Sequence, residues 1–246
     1  MSRSKLSRFI EMATFENVIQ PELNELMQGK IFLKGKWNET FFKNDNPIIL
    51  ELGCGKGEYT IELAKSYPEK NFIGIDIKGA RMYIGAKNAL DEKLKNVLFL
   101  RTRIEFIDLL FDSNEVDEIW LTFPDPQPKK RWTKKRLTSA IFLNKYRNIL
   151  KKNALLHLKT DNTFLYNYTL ELLKSNSINI LHSIIDVHAT DSKIPELNII
   201  TYYERQFIDQ GKKIYYLCWE NTKKEITELD NEKFEEIKKF HHRSVV

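Results

Sequence analysis

The feature that most constrains the fold of this chain is an alternation of short apolar runs with longer amphipathic segments. Seven runs have the length and the β-branched or aromatic content of strands, at 48–53, 71–76, 97–101, 118–123, 154–159, 178–187 and 213–219. Amphipathic segments typical of helices separate the first five, among them GARMYIGAKNALDEKL and TSAIFLNKYRNILKK. Such repetition favours right-handed crossovers and a parallel sheet that is covered by helices on both faces. The sequence therefore predicts an α/β fold with a doubly wound, mostly parallel, seven-stranded sheet whose last strands turn antiparallel.

Residues 1–46 stand outside this alternation. They include the basic side chains Arg3, Lys5 and Arg8, and Pro47 opens the first strand. We therefore predict a basic N-terminal arm over 1–46 and one α/β domain over 47–246. A chain of 246 residues is long enough to bury a large core without disulfides or a structural metal.

The cysteine content and the hydropathy indicate the cellular compartment in which the protein is expected. Cys54 and Cys218 do not have the spacing of metal ligands or of a disulfide framework, which favours a reducing environment. No stretch approaches the roughly 18 consecutive apolar residues that a membrane helix needs. The first residues also lack the apolar core of a signal peptide. These observations predict a soluble, cytoplasmic protein without a metal site.

A glycine pattern follows the first predicted strand. The segment ELGCGKGEY places Gly53, Gly55 and Gly57 at a strand-to-helix turn, where glycine permits positive φ and the helix N-terminus supplies backbone amides. A dinucleotide-binding motif would have its third glycine at position 58, which is Glu58 here. NAD and FAD are therefore disfavoured.

Two carboxylates flank the glycine turn. Asp76 ends the second strand, about twenty residues further on, where an acidic side chain can accept hydrogen bonds from ribose hydroxyls. Glu51 precedes the glycines, and its charge disfavours a pyrophosphate but favours a sulfonium or an ammonium group. The sequence thus predicts S-adenosylmethionine as the cofactor. The alternative is a tight turn for the glycines and a helix cap for Asp76.

The segment LTFPDPQPKKRWTKKR places one carboxylate, Asp125, at the start of a strongly basic loop. Pro124 and Pro126 fix φ on both sides of Asp125, so this carboxylate lies on a stiff corner after the fourth strand. Clustered basic side chains favour a polyanionic partner, although a merely solvated loop has the same composition. Trp132, within the loop, could stack on a nucleotide or pack against the base of the loop.

Five linked segments resemble the bacterial tRNA (guanine-N7)-methyltransferases. They are ELGCGKGEY, GIDIKGAR, TFPDPQPKKRW, LKTDN and TYYERQFIDQGKKIYYL, in this order, and they span nearly the whole chain. The resemblance implies a class I, Rossmann-like, S-adenosylmethionine-dependent methyltransferase. It also implies that the substrate is N7 of a guanine in the variable loop of tRNA. Monomer and homodimer are both compatible with it.

The resemblance also implies roles for individual residues. Asp125 is the expected catalytic carboxylate. The expected cofactor-binding residues are Glu51, Gly53, Gly55, Asp76, Arg103 and Asp125. The expected substrate-binding residues are Lys129, Asp161, Thr201, Tyr202, Tyr203 and Glu204. The expected contacts to the RNA backbone are Lys130, Arg131, Lys134, Lys135 and Arg136. Arg103 stands where the family usually has an acid or an amide.

Some of these residues have simpler explanations when they are taken alone. Thr201 and Glu204 have the spacing of a helix capping box, and Asp161 could be a helix N-cap. Tyr202 and Tyr203 could be packing residues, and His157 is expected in the core. At the level of function, two alternatives remain: a methyltransferase that acts on an exocyclic amine of a base, and an RNA-binding protein that keeps the fold without the chemistry.

Overall fold

The computed structural model describes residues 5–29 and 33–243, and of Lys5 and 240–243 it describes the backbone alone. Arg3, one of the basic residues predicted for the N-terminal arm, lies outside these ranges. The chain divides into two compact units, Met1–Ile119 and Trp120–Val246. The boundary falls within the strand β5 (Val116–Thr122).

The first unit is built around parallel strands. Before β5, its helices and strands are α1 (Lys5–Met12), β1 (Val18–Ile19), α2 (Leu23–Met27), β2 (Ile48–Leu52), α3 (Glu58–Ser66), β3 (Asn71–Asp76), α4 (Gly79–Asp91), β4 (Val97–Arg101) and α5 (Ile107–Leu110). A π-helical turn covers Asn38–Phe42 and a 3-10 turn covers Ile104–Phe106. The strands pair in parallel in the order β1-β4-β3-β2.

Burial explains why these apolar runs form strands. Every residue of β2 is buried, as are the first five residues of β3 and the first four of β4. Parallel strands covered on both faces have continuous apolar sequences of this kind. The register pairs Leu50 with Ile73, and Ile73 with Leu98, which places the carboxyl ends of the three strands at one edge.

The sheet contains eight strands where the sequence predicts seven. The additional strand is β1, which pairs with β4 through Val18 and Phe99. The sequence placed residues 1–46 outside the alternation of strands and helices, because a strand of two residues is too short to produce a periodic signal. Trp37 is also fully buried, and its indole donates a hydrogen bond to the Leu110 carbonyl at 3.0 Å.

The second unit contains the antiparallel end of the sheet. After β5, its helices and strands are α6 (Ala140–Ile149), β6 (Leu150–Thr160), α7 (Thr163–Ser175), β7 (Ile180–Ile184), α8 (Tyr202–Asp209), β8 (Tyr215–Glu220) and α9 (Asn231–Arg243). Short 3-10 segments cover Lys130–Lys135 and Pro195–Asn198. β8 pairs antiparallel with both β6 and β7.

The fold class predicted from the sequence is confirmed. The hydrogen-bonded strand order is β1-β4-β3-β2-β5-β6-β8-β7, and helices alternate with the parallel strands. His157 lies in the core as expected, with its ring stacked on Trp120 at a centroid distance of 3.9 Å. Over residues 5–29 and 33–243, no helix has both the length and the hydropathy to cross a bilayer.

Candidate active site

The glycine turn after β2 has the conformation that its sequence predicts. Gly53, Gly55 and Gly57 have φ values of 85°, 57° and 73°, which residues with a side chain rarely adopt. A Cβ atom on Gly57 would overlap the Phe99 ring, so packing accounts for this glycine. A Cβ atom on Gly55 would come no closer than 4.0 Å to its nearest neighbour, the Gly53 carbonyl oxygen. The turn therefore faces open space at Gly55, which leaves room for a ligand next to the backbone.

Asp76, the last residue of β3, organises the same turn. One carboxylate oxygen accepts a hydrogen bond from Gly55 N at 2.9 Å, and the other accepts one from Lys78 N at 2.7 Å. Lys78 is the N-cap residue of α4, and its side chain makes no capping hydrogen bond. Asp76 is thus not the helix cap that the alternative explanation proposed. Each carboxylate oxygen has a second lone pair for a ligand hydroxyl.

Glu51 is held against the start of α3. Its exposed fraction is 4%, and its carboxylate accepts hydrogen bonds from Thr60 N at 2.9 Å and from the Thr60 hydroxyl. A negative charge at a helix N-terminus is favourable, so this position stabilises the carboxylate. Burial, together with the charges of Glu51 and Asp76, raises the pKa of the Cys54 thiol. The raised pKa favours the neutral thiol of Cys54, so Glu51 and Asp76 are the acidic groups of this turn.

Arg103 lies near this turn because the preceding residue, Thr102, is hydrogen-bonded to Asp76. Thr102 N donates a hydrogen bond to the Asp76 carbonyl at 3.2 Å, and Arg103 itself is exposed at the start of the turn Ile104–Phe106. The first unit thus brings together the predicted cofactor residues Glu51, Gly53, Gly55 and Asp76 with the backbone that carries Arg103.

In the second unit, the corner that carries Asp125 is strained. Phe123 and Gln127, on either side of Pro-Asp-Pro, have φ values of 49° and 46°. A left-handed conformation at a residue other than glycine costs about 1–2 kcal/mol, so it persists only where neighbouring contacts fix it. Phe123 N donates to the Lys159 carbonyl at 2.8 Å. Asp125 is exposed, and its Oδ1 accepts a hydrogen bond from Gln127 N at 3.2 Å. The carboxylate is therefore presented to solvent on a fixed backbone.

The basic loop after this corner displays most of its charges. The exposed basic side chains are Lys129, Lys130, Arg131, Lys134 and Lys135. Trp132 is half-buried, and the Lys129 ammonium and the Arg131 guanidinium lie 4.8 and 5.5 Å from its ring centre. Cations at these distances are attracted to an indole face, so the ring organises its own loop.

The burial of Arg136 contradicts one prediction. Its exposed fraction is 0%, which contradicts the predicted contact with the RNA backbone, since a side chain without exposed surface cannot reach a phosphate. Its Nε and Nη2 atoms donate hydrogen bonds to the carbonyls of Pro126 and Gln127, at 3.1 and 2.6 Å. Arg136 thus supports the Asp125 corner from inside the protein.

The burial of Glu204 contradicts a second prediction. Its exposed fraction is also 0%, its carboxylate lies 2.8 Å from Lys159 Nζ, and its Oε1 lies 3.0 Å from His188 Nε2. Burial lowers the pKa of Lys159, and the charge of Glu204 opposes this shift. Direct contact between Glu204 and a substrate is incompatible with this burial. Thr201 Oγ1 accepts a hydrogen bond from Glu204 N at 3.3 Å, so Thr201 caps α8 as expected. In a full capping box the Glu204 carboxylate would also accept a hydrogen bond from Thr201 N, but here this carboxylate binds Lys159 instead.

The other predicted substrate residues lie at or near the surface. Asp161 accepts a hydrogen bond from Lys212 Nζ at 2.8 Å, and the N-cap of α7 is its neighbour Asn162, so Asp161 is not the cap. Tyr202 has an exposed fraction of 52%, and Tyr203 is half-buried with its ring 5.8 Å from that of Tyr202.

The chain matches a family model described as a putative methyltransferase over residues 45–217. A tRNA (guanine-N(7)-)-methyltransferase of Christiangramia forsetii is 55% identical over 217 residues, which cover 88% of this chain and 97% of that protein. A protein of the same name from Bacteroides fragilis is 47% identical, over 88% of this chain and 85% of its own length. The chain belongs to the tRNA (guanine-N(7)-)-methyltransferase family.

Solved structures of lower similarity support the fold alone. The 16S rRNA methyltransferase KamB aligns with a TM-score of 0.57 at 14% identity, over 75% of this chain and 92% of its own. An antibiotic-related methyltransferase gives the same TM-score at 17% identity, over 76% of this chain and 93% of its own. These alignments agree with the mostly parallel sheet described above.

Within this family, the motif residues of the chain fall into two groups by burial. Asp125, Lys129 and Tyr202 are exposed, whereas Arg136 and Glu204 are inside the protein. Sequence reasoning missed Lys159 and His188, the partners of Glu204, because nothing local marks a contact between distant segments. Among the residues that the structure describes, no group of three or more His, Cys, Asp or Glu side chains is arranged to hold a metal ion.

Proposed function

We propose that this chain transfers the methyl group of S-adenosylmethionine to N7 of a guanine in the variable loop of tRNA. The observation that carries the proposal is an exposed carboxylate, Asp125, on a strained corner that opens into five exposed basic side chains. The names of the relatives specify the same atom and the same class of RNA. The variable loop as the location of the guanine rests on the resemblance of the motifs to the bacterial family.

The first unit provides the residues for the cofactor. Glu51 and Asp76 would accept hydrogen bonds from hydroxyl and ammonium groups, and the open side of Gly55, next to Gly53, admits a ligand against the backbone. The backbone at Arg103, adjacent to Asp76, is the proposed neighbour of the adenine. When it is bound, S-adenosylmethionine supplies an electrophilic methyl group. The predicted contact of Asp125 with the cofactor stays a prediction.

The chemistry of guanine N7 explains why one carboxylate suffices. N7 carries an in-plane lone pair and no proton, so methylation needs no general base, and orientation of the base provides most of the acceleration. Positive charge develops on the imidazole ring of the base as the new bond forms. Asp125 would stabilise this charge and accept hydrogen bonds from the guanine N1 and N2 donors. Because Gln127 N holds Asp125 Oδ1, the carboxylate needs little reorganisation.

The exposed basic side chains would bind the phosphates of folded RNA. Contacts of this kind depend on salt and on the shape of the RNA more than on its sequence. Lys129 lies nearest to Asp125 in the chain, and Asp161, Thr201, Tyr202 and Tyr203 remain proposed substrate contacts. The target guanine must leave its stacked position, at a cost of a few kcal/mol.

We further propose that residues 47–246 form the methyltransferase domain and that residues 1–46 add a basic arm. The described part of the arm carries Arg8, whose guanidinium carbon lies 5.8 Å from the centre of the Tyr83 ring. A cytoplasmic location follows from the proposed tRNA substrate.

Methyl transfer to unmodified tRNA tests the proposal. The protein is incubated with methyl-labelled S-adenosylmethionine and bulk tRNA, and the RNA is digested to nucleosides. The proposal predicts label in 7-methylguanosine, and loss of the label when the variable-loop guanine of a single transcript is replaced by adenosine. Label in another nucleoside contradicts the proposed chemistry, and label that persists in the replaced transcript contradicts the location.

A further inference from the structure

The corner that carries Asp125 lacks the usual backbone hydrogen bonds. Pro124 and Pro126 have no N–H group, so this part of the chain cannot continue a strand ladder. The carbonyl groups of Pro126 and Gln127 instead accept hydrogen bonds from Arg136, at 3.1 Å from Nε and 2.6 Å from Nη2. One guanidinium therefore holds two consecutive carbonyls of this corner.

Arg136 is itself fixed by its surroundings. Its guanidinium carbon lies 4.0 Å from the centre of the Tyr168 ring, 5.1 Å from that of Phe164 and 5.6 Å from that of Phe234. The Tyr168 hydroxyl donates to Glu228 Oε1 at 2.5 Å, and Glu228 Oε2 accepts a hydrogen bond from Ala140 N at 3.2 Å. The rigid, planar guanidinium is therefore anchored to α6, α7 and α9.

The peptide group between Pro126 and Gln127 connects Arg136 to the carboxylate. Its carbonyl oxygen accepts the hydrogen bond from Arg136 Nε, and its N–H, on Gln127, donates to Asp125 Oδ1. Because a peptide group is planar, fixing its oxygen also fixes its N–H. Gln127 has a φ of 46°, so its backbone needs this external support.

We propose that Arg136 is a positioning residue for methyl transfer, which orients the Asp125 carboxylate through the Pro126–Gln127 peptide group. The inference rests on the proposed function, since it assigns a task to Asp125. Arg136 is also the last residue of the basic loop, which begins at Asp125. Both ends of the segment that carries the exposed basic side chains are therefore held by one buried guanidinium.

The Arg136→Lys variant tests the inference, because lysine keeps the charge but not the planar fork. With tRNA and S-adenosylmethionine both saturating, we expect the single-turnover rate to fall by roughly 10-fold to 100-fold, which is the effect of a small misplacement of a reacting group. The KM for tRNA should stay within about twofold, because the exposed basic side chains that bind phosphates are unchanged. The matched control is Arg147→Lys. Arg147 Nη1 also donates to a backbone carbonyl, that of Lys223 at 3.1 Å, and its replacement should leave the rate unchanged.

A double-mutant cycle with Asp125→Asn distinguishes positioning from general stability. If Arg136 acts through Asp125, then Arg136→Lys has little further effect in the Asp125→Asn background. Losses that multiply would show that the two residues act independently and would overturn the inference. Tyr168→Phe is a milder second variant, which removes the bond to Glu228 and should lower the rate less, with the same dependence on Asp125.

Amide hydrogen exchange at Gln127 provides a readout that does not require activity. In Arg136→Lys we expect the Gln127 amide to exchange at least about tenfold faster, while amides in the middle of β6 are unaffected. Unchanged exchange at Gln127 would overturn the inference. If the wild-type protein forms no 7-methylguanosine but exchange at Gln127 responds to Arg136→Lys, the proposed function fails and the support of the corner by Arg136 stands.

Discussion

Arg136 and Glu204 belong to motifs for which contacts with RNA or substrate were predicted. In the structure, both charged side chains form their hydrogen bonds inside the protein. Glu204 is paired with Lys159, which is 45 residues away in the chain, and Arg136 lies among aromatic rings. Such distant partners leave no local pattern, so the sequence could not separate these residues from their exposed neighbours. Asp125 and Asp76 were easier to propose as site residues, because prolines flank Asp125 and Asp76 ends a strand about twenty residues after the glycine turn.

Glu204→Gln should destabilise the protein by about 3–5 kcal/mol, because removal of one partner leaves a buried charge on Lys159 without its counter-ion. Urea unfolding of the two proteins measures this difference. Lys159→Met combined with Glu204→Leu should cost less than the sum of the two single replacements. An unchanged unfolding free energy in Glu204→Gln, together with weaker tRNA binding, would instead place Glu204 on the substrate.

At the scale of elements, the buried parallel strands were predictable and the irregular segments were not. β3 and β4 occupy the predicted residues, because continuous apolar runs of this length are typical of strands that are buried on both faces. β6 begins at Leu150, four residues before the predicted 154. The exposed Lys151, Lys152 and Asn153 interrupt the apolar pattern, so the first part of the strand was not predicted. The positive φ at Phe123 and Gln127 had no sequence signal, since neither residue is glycine or asparagine.

The basic loop as a whole should determine the salt dependence of tRNA binding. Replacing Lys130, Arg131, Lys134 and Lys135 with glutamine should weaken binding and reduce the slope of log K against log salt by roughly 0.7–0.9 per lost phosphate contact. Binding titrations at several salt concentrations measure the slope. The control replaces exposed lysines elsewhere in the second unit, namely Lys152, Lys174, Lys224 and Lys239. Equal slopes for the two variants would indicate that the loop is only a solvated surface.

At the scale of the whole molecule, the proposed chemistry is divided between the two compact units. The first unit holds the glycine turn with Glu51 and Asp76, and the second holds the Asp125 corner and the basic loop. Family membership rests on matches along most of the chain, which include residues of both units. The motifs were visible in the sequence and their roles stay predictions, whereas the added strand β1 required the structure.

Cofactor binding should stabilise the folded protein. A ligand that binds the folded state alone, at about 100 times its Kd, contributes about 2.7 kcal/mol. Thermal unfolding with and without S-adenosylmethionine, in the absence of RNA, measures this effect. At the same cofactor concentration, Asp76→Asn should show a much smaller stabilisation, because it loses negative charge and an acceptor at the turn. Equal stabilisation of the two proteins would remove Asp76 from the cofactor site.

The role of Asp125 is tested most directly by the single-turnover rate of 7-methylguanosine formation in Asp125→Asn, with S-adenosylmethionine and tRNA both saturating. We predict a rate lower than that of the wild type by roughly 10²-fold or more, the usual effect of removing one electrostatic stabiliser, with the Kd of S-adenosylmethionine little changed. A rate close to that of the wild type would contradict the assignment of Asp125 as the carboxylate that holds and balances the guanine.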